Sequence, residues 1–241
     1  MTEKDQGLVI HTIKYGDTGV VARIFTREGG LLSFMIQGVR KPKARIQNSL
    51  LQPLSHVDLV YARSQYGRLN YIKEIACKNP YRTIPYEIFK TTIALFLCEL
   101  LSKTLKESDP HPDMFDFFKE GFDFLDQTSN PVKDFHLVFL VQMSRHLGFF
   151  PRNNYSQTHC YFNLLEGIYQ TSFDETEYML DKELSSVFYK MTQHQISSIE
   201  QLYLKNAQRR QLLRKLVDYF RIHLTGFKEL KSLQVLESVL H

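Results

Sequence analysis

The sequence predicts an α+β protein in which a small N-terminal β-barrel is followed by an all-α domain. Two observations carry this reading. Turn signals punctuate the front of the chain at short intervals, and the hydrophobic period changes just after Asn79-Pro80. The positive excess also sits at the front, which bears on partners rather than on fold. Residues 1 to 80 hold 12 Lys and Arg against 6 Asp and Glu, a net of +6. The whole chain holds 30 against 26, so residues 81 to 241 hold 18 against 20, a net of −2. At 241 residues the chain is comfortable for two domains, and its 43% hydrophobic and 23% charged content is that of an ordinary globular protein.

In the front domain, residues 1–79, the turn signals are Tyr15-Gly16-Asp17, Glu28-Gly29-Gly30 and Gln65-Tyr66-Gly67. They separate runs rich in Val, Ile, Leu, Phe and Tyr, which places strands near 8–14, 18–26, 30–37, 55–62 and 68–76. Val57, Leu59 and Tyr61 alternate onto one face of the fourth strand, and Leu69, Tyr71, Lys73 and Ile75 onto one face of the fifth. Five short strands suit a five-stranded OB-fold barrel, a scaffold that binds oligonucleotides. An SH3-like barrel fits the same pattern.

In the rear domain, residues 80–241, Tyr86, Phe89, Ile93, Phe96, Leu97, Leu100 and Leu101 recur at steps of three and four, as the buried face of a helix requires. Pro85 suits a first turn. A second helix is predicted over 112–127 with Met114, Phe117, Phe118, Phe122 and Leu125 inward. A third, over 132–147, stops at Gly148, with Pro151 barring continuation. The period fails over 155–175, which marks an irregular or hairpin insert of about 152–178 around Leu165-Glu166-Gly167-Ile168. Helical patterns return over 181–193, 196–204, 206–224 and 229–240.

Several function classes find no support. The first twenty residues carry Glu3, Lys4, Asp5, Lys14 and Asp17 in place of an apolar signal-peptide core, and no later run approaches a membrane span, so a cytoplasmic protein is expected. Cys77, Cys98 and Cys160 are odd in number and widely spaced, which fits reduced thiols rather than disulfides or a thiolate metal site. No phosphate-wrapping loop, dinucleotide fingerprint, zinc-protease motif or nucleophile elbow occurs. Asp113 and Asp116 stand at i,i+3, but first-turn acids that complement a helix dipole explain them more simply than a metal. His159-Cys160 supplies two ligands where a site needs three or four. An enzyme, a cofactor and a bound metal are all unexpected.

What remains is cationic. Gly38-Val39-Arg40-Lys41-Pro42-Lys43-Ala44-Arg45 puts four cations into six positions directly after a strand, and Arg23 and Arg27 lie on or at the end of the strand before it. Flexible cations in a patch meet phosphates, and single-strand binding adds aromatic platforms. Tyr15, Phe25, Phe34, Tyr61, Tyr66 and Tyr71 are available, although most must be core in so small a domain, leaving at most two as platforms. A second run, Lys205, Arg209, Arg210, Arg214, Lys215 and Arg221, lies on a late helix, with Arg210, Arg214 and Arg221 on one face. It reads as a solvated face, an extension of the DNA track or a pocket for an acidic peptide.

The order of segments resembles a known family. Tyr15-Gly16-Asp17, Ile24-Phe25-Thr26, Glu28-Gly29-Gly30, Gly38-Val39-Arg40-Lys41 and Leu51-Gln52-Pro53-Leu54 look like the N-terminal domain of bacterial RecO proteins. The likeness returns at Leu147-Gly148-Phe149-Phe150-Pro151, at Phe162-Asn163-Leu164-Leu165-Glu166-Gly167 and at Leu230-Lys231-Ser232-Leu233-Gln234-Val235-Leu236. The resemblance implies an OB-fold in front of a helical domain, and DNA repair by homologous recombination in the bacterial cytoplasm, near the nucleoid. It further implies binding of single- and double-stranded DNA, annealing of complementary strands, engagement of the acidic C-terminal tail of single-stranded-DNA-binding protein (SSB), and cooperation with RecR in loading RecA. Many members carry two zinc-binding Cys pairs in the insert. Here Cys160 is the only cysteine in that region, so the insert is expected to be held by packing of Tyr161, Phe162, Leu164 and Ile168 without zinc. The rival classes are an adaptor without DNA affinity and a nuclease, for which the acid or His cluster is missing.

Overall fold

The computed structural model describes residues 2–39, 46–64, 69–77, 79–196 and 204–240. Arg40, Lys41, Lys43 and Arg45, the turn at Gln65-Tyr66-Gly67 and most of the helix expected over 196–204 lie outside the described residues.

Five strands build the front: β1 (Thr2–Tyr15), β2 (Gly19–Thr26), β3 (Gly30–Ile36), β4 (His56–Ala62) and β5 (Leu69–Ala76). They close into a barrel in the order β1-β2-β3-β5-β4, antiparallel throughout except where β3 and β5 run parallel. β1 is shared: Thr2 to Leu8 pair with β4, and Gly7 to Tyr15 pair with β2. This is the OB arrangement, and it sets the SH3-like alternative aside. Val9, Ala22, Ile24, Phe34, Val57, Leu59 and Tyr61 fill the interior, with the Phe34 and Tyr61 rings edge to face at 5.2 Å.

Two departures from the predicted strands have local causes. β1 starts at Thr2 rather than near residue 8, because β4 offers a ladder to a segment, Thr2-Glu3-Lys4-Asp5-Gln6, whose composition alone does not suggest a strand. On β5 the expected single face of Leu69, Tyr71, Lys73 and Ile75 is broken by a bulge. Tyr61 pairs with Ile72 and Val60 with Glu74, so Lys73 is the extra residue, and Ile72 and Ile75 both pack on the core while Tyr71 is exposed.

The chain divides into two compact units, Met1–Gln127 and Thr128–His241. Strands give way to helices between Ala76 and Ile88, where the sequence period changes, yet packing groups α1 (Ile88–Thr104) and α2 (Pro112–Gln127) with the barrel. Phe25 on β2 meets Phe115 on α2 edge to face at 5.6 Å. The connection between the helices docks on β3, where Ser108 N–H donates to Leu31 O at 3.1 Å. Gly30, at φ +74°, permits this approach, since a Cβ there would lie 2.3 Å from Asp109 O. At the far end of α2 the Asp126 carboxylate accepts backbone N–H groups of Arg82, Thr83 and Ile84 at 2.8–2.9 Å. Burial pushes its carboxyl up, and these donors outweigh that and hold it below its ordinary value.

The helix faces shift relative to expectation. Pro85 sits in a turn ahead of α1 instead of in its first turn, and Tyr86 is 84% and Phe89 41% exposed, so the buried face runs from Ile93 to Leu101. On α2, Phe115 is fully buried and Phe117 only half-buried, because the contact with Phe25 turns residue 115 inward.

In the second unit, α3 (Phe135–His146) packs on both α4 (Lys182–Gln193) and α5 (Asn206–His223), and α6 (Ser232–Leu240) follows. Gly148 at φ +85° ends α3, with Phe149 N–H donating to Ser144 O at 3.0 Å. Asp181 caps α4 by accepting Leu184 N–H at 2.8 Å. The insert is a hairpin of β6 (Tyr161–Asn163) and β7 (Ile168–Gln170). Its register sets Phe162 opposite Tyr169, so these two and Leu164 are buried, whereas Tyr161 and Ile168, expected inside, are half-buried. Phe162 packs on Phe188 at 4.5 Å and Tyr219 at 5.7 Å.

Two outcomes test these constraints. A Cβ at Gly7 would stand 2.5 Å from Ile24 Cγ2 and 3.0 Å from Leu59 Cδ1. Gly7→Val is therefore expected to lower unfolding stability by about 1–3 kcal/mol in denaturant titrations, and an unchanged midpoint would remove Gly7 from the closure. For Asp126, the folded pKa lies below the ordinary 3.8, so its stabilisation is complete above that value and drains away as pH falls through the folded pKa. Asp126→Ala is expected to cost about 2 kcal/mol or more at pH 7, and the gap to the parent should narrow below about pH 4. A gap that persisted at full size well below the folded pKa would contradict this assignment.

Candidate nucleic-acid interface

Because side chains fill the barrel interior, a ligand must use its outside. Register fixes what lies there. Ile13 on β1 pairs with Val21 on β2, Val21 with Met35 on β3, and Met35 with Tyr71 on β5. One apolar row thus crosses four strands, and Tyr15 extends it at the end of β1. Ile13, Tyr15 and Tyr71 are 55%, 59% and 57% exposed, and Val21 and Met35 are half-buried. The next row, His11, Arg23, Ser33 and Leu69, runs alongside. Beyond it Phe25 and Leu31 disappear under the helical segment. The outward face therefore has a covered half and an open half.

Of the six front aromatics, Phe25, Phe34 and Tyr61 are fully buried, Tyr15 and Tyr71 are exposed, and Tyr66 lies outside the described residues. Burial and Glu3, which accepts the Tyr61 hydroxyl proton at 2.8 Å, push the Tyr61 phenol up to about 12. Sequence reasoning missed Ile13, Val21 and Met35. The signal was present as alternation with Val20, Ala22, Phe34 and Ile36, but apolar residues on both faces of a strand do not say which face is open.

The predicted cations differ in how they are held. Arg27 is engaged: its Nε donates to Asp116 Oδ1 at 2.9 Å, Nη2 to Asp116 Oδ2 at 2.8 Å and Nη1 to Glu28 at 2.5 Å. Those hydrogen bonds, Asp116 first, raise the guanidinium pKa, and Arg27 in turn lowers the Asp116 carboxyl. The Asp113 and Asp116 pair thus has a structural use at Asp116. Arg23, at the border of the open half, is held loosely, by Ser102 Oγ at 3.5 Å and Glu107 at 3.9 Å. Lys73 is exposed near Tyr71, and its Nζ reaches Thr2 Oγ1 at 2.7 Å; Lys14 is exposed too, but it pairs with Val20 and so lies on the opposite face of β1 from Ile13 and Tyr15. The run from Arg40 to Arg45 is bracketed by Val39, buried in the barrel core, and Ile46, partly buried against it.

On α5 the cations split. Arg209 is buried and donates to Asp134 at 2.6 Å and Asn206 at 2.7 Å, so it belongs to the core of its unit rather than to a surface track. Arg214 bonds Glu237 at 2.7 Å, which raises its pKa, and Arg221 bonds Asp218 at 2.8 Å. Lys215 donates to Glu177 O. Lys205 and Arg210 are exposed, and no ion pair holds either among the described residues. No group of three or more His, Cys, Asp and Glu capable of holding a metal occurs among the described residues. His159 and Cys160 do not converge: Cys160 is buried, while His159 is exposed with Nδ1 beside Ser156 and Thr158 hydroxyls. Among the described residues no helix is long and apolar enough to cross a membrane.

Comparison with known proteins agrees with this architecture. The family profile described as recombination protein O N terminal matches residues 1–81, and that described as recombination protein O C terminal matches residues 85–234. DNA repair protein RecO of Phocaeicola vulgatus is 31% identical over 239 residues, covering 99% of both chains. The RecO proteins of Bacteroides fragilis and Flavobacterium johnsoniae are each 30% identical, again with 99% of both chains covered. The two profiles together span nearly the whole chain, and the chain belongs to the recombination protein O family.

Proposed function

We propose that this member of a family of DNA repair proteins binds single- and double-stranded DNA through its barrel and anneals complementary strands. It helps RecR to load RecA onto SSB-coated DNA, and takes the acidic SSB tail as a second ligand. The observation that carries the DNA reading is the open half of the OB barrel face, bordered by Arg23 and Lys73, in a chain whose sequence carries the run Arg40, Lys41, Lys43 and Arg45 directly after β3 and Val39. Annealing needs no bond chemistry. Cations reduce repulsion between two strands and raise their local concentration, and base pairing supplies the free energy.

For the SSB tail, Lys205 and Arg210 are the better candidates on α5, because Arg214 and Arg221 already meet acids of their own unit. Family membership supports the link to recombination, and the partner assignments extend it.

Replacing Arg40, Lys41, Lys43 and Arg45 together with Ala is expected to weaken oligonucleotide binding and flatten its salt dependence. Each lost single-strand phosphate contact removes roughly 0.7 from the log-log slope, and an unchanged slope would refute the basic-run assignment. Arg27 should behave differently. Since Asp116 and Glu28 hold it, Arg27→Ala alone should barely move the slope. Strand annealing on SSB-coated oligonucleotides, with and without chelator, checks the whole reading. Salt-sensitive annealing indifferent to chelator supports it, and the absence of annealing and of DNA affinity would leave an adaptor.

A further inference from the structure

We propose that the open half of the barrel face is a base-stacking platform that reads unpaired bases, with Tyr15 and Tyr71 as the stacking rings and Ile13, Val21 and Met35 as the apolar floor between them. This rests on the DNA-binding reading and adds to it a second kind of contact at the same surface. Three residues more than half exposed on one face, Ile13, Tyr15 and Tyr71, form a continuous row with two half-buried ones, which isolated surface hydrophobics do not do. Among the described residues of their own unit nothing covers them: the helical segment that buries Phe25 and Leu31 stops at Arg23, one row away.

Shape and charge together select the occupant. Four adjacent strands place Ile13 and Tyr71 three strand spacings apart, about 14 Å, a span suited to several nucleotides laid across the sheet. The border is cationic, with Arg23 and Lys73, while the acid that meets Arg23, Glu107, lies 3.9 Å from it on the covered side. A strand lying with base faces on the row and phosphates toward that border meets both features. In a duplex the base faces are already stacked on one another, so the row has nothing to hold. The platform therefore discriminates single strands from duplex, while the basic run grips both.

The chain contains no tryptophan, which makes the test direct. Tyr71→Trp places a single indole on the platform, and its emission should be quenched on saturation with an oligo-dT strand at moderate salt. Tyr15→Ala with Tyr71→Ala should lose about tenfold in oligo-dT affinity while the log-log salt plot shifts in parallel, since stacking releases no counterions. Duplex affinity should be unchanged, and Phe at both positions should restore the single-strand affinity. Unaltered oligo-dT affinity in the double Ala variant, indole emission that stays unquenched at saturation, or an equal loss on duplex would each overturn the platform and leave the face to a protein partner or to no ligand. If the parent protein bound no oligonucleotide in a salt-dependent way, the DNA-binding reading itself would fall, and the platform with it.

Discussion

The architecture depends on one strand serving two neighbours. β1 is 14 residues long, about 46 Å at the usual rise, and it pairs first with β4 and then with β2. At the crossover Gly7 lies opposite both Thr26 and Val57, in a space that admits no side chain. This sharing closes the sheet into a barrel. It also decides where function can sit. A five-strand barrel is narrow enough for Val9, Ile24, Phe34 and Tyr61 to fill it, so no lumen remains and the outward face is the available sheet surface.

That outward face is then divided by the helices that belong to the same unit. Burying Phe25 and Leu31 contributes on the order of 2 kcal/mol each, and the segment from Leu105 to Asp109 reaches β3 only because Gly30 lets its backbone approach. The Arg27–Asp116 pair fixes the orientation of α2 on the barrel with a bidentate geometry that Lys would not reproduce. Thus the two arginines grouped by sequence separate in role. Arg27 holds helix to barrel, and Arg23 stands at the border, its nearest acid contact among the described residues being the long one to Glu107.

How much of this was legible follows the same physics. The strand centres and Gly148 as a helix stop were readable because short-range pattern determines them, whereas that pattern fitted OB and SH3-like barrels alike and long-range pairing decided between them. The face of β5 was not, because a single inserted residue at Lys73 reverses the alternation and leaves no mark on composition. The start of β1 was hidden because pairing with β4, forty-eight or more residues away in sequence, makes a strand of a polar segment. On α5 the spacing of Arg210, Arg214 and Arg221 was right as geometry, but Glu237 meets Arg214 from another helix, and Arg209 is drawn inward by Asp134 across 75 residues. Charge counting sees cations and cannot see their partners.

A surface that combines a cationic border with an apolar row holds a strand by forces of different range. The cations act over roughly a Debye length, about 8–10 Å in ordinary salt, and are indifferent to sequence and strandedness. Stacking acts only at contact and is insensitive to salt. The combination suits annealing because of what it leaves free. A strand held by its phosphates and by the faces of its bases keeps its hydrogen-bonding edges unpaired, so a complementary strand drawn to the same cations finds them available. As pairs form, each base exchanges the protein ring for its neighbours in the duplex. The platform's hold on that base is lost at that moment, and the duplex retains only the electrostatic contacts. A barrel whose open face stacks single strands would thereby capture them and release the paired product without moving any part of the fold.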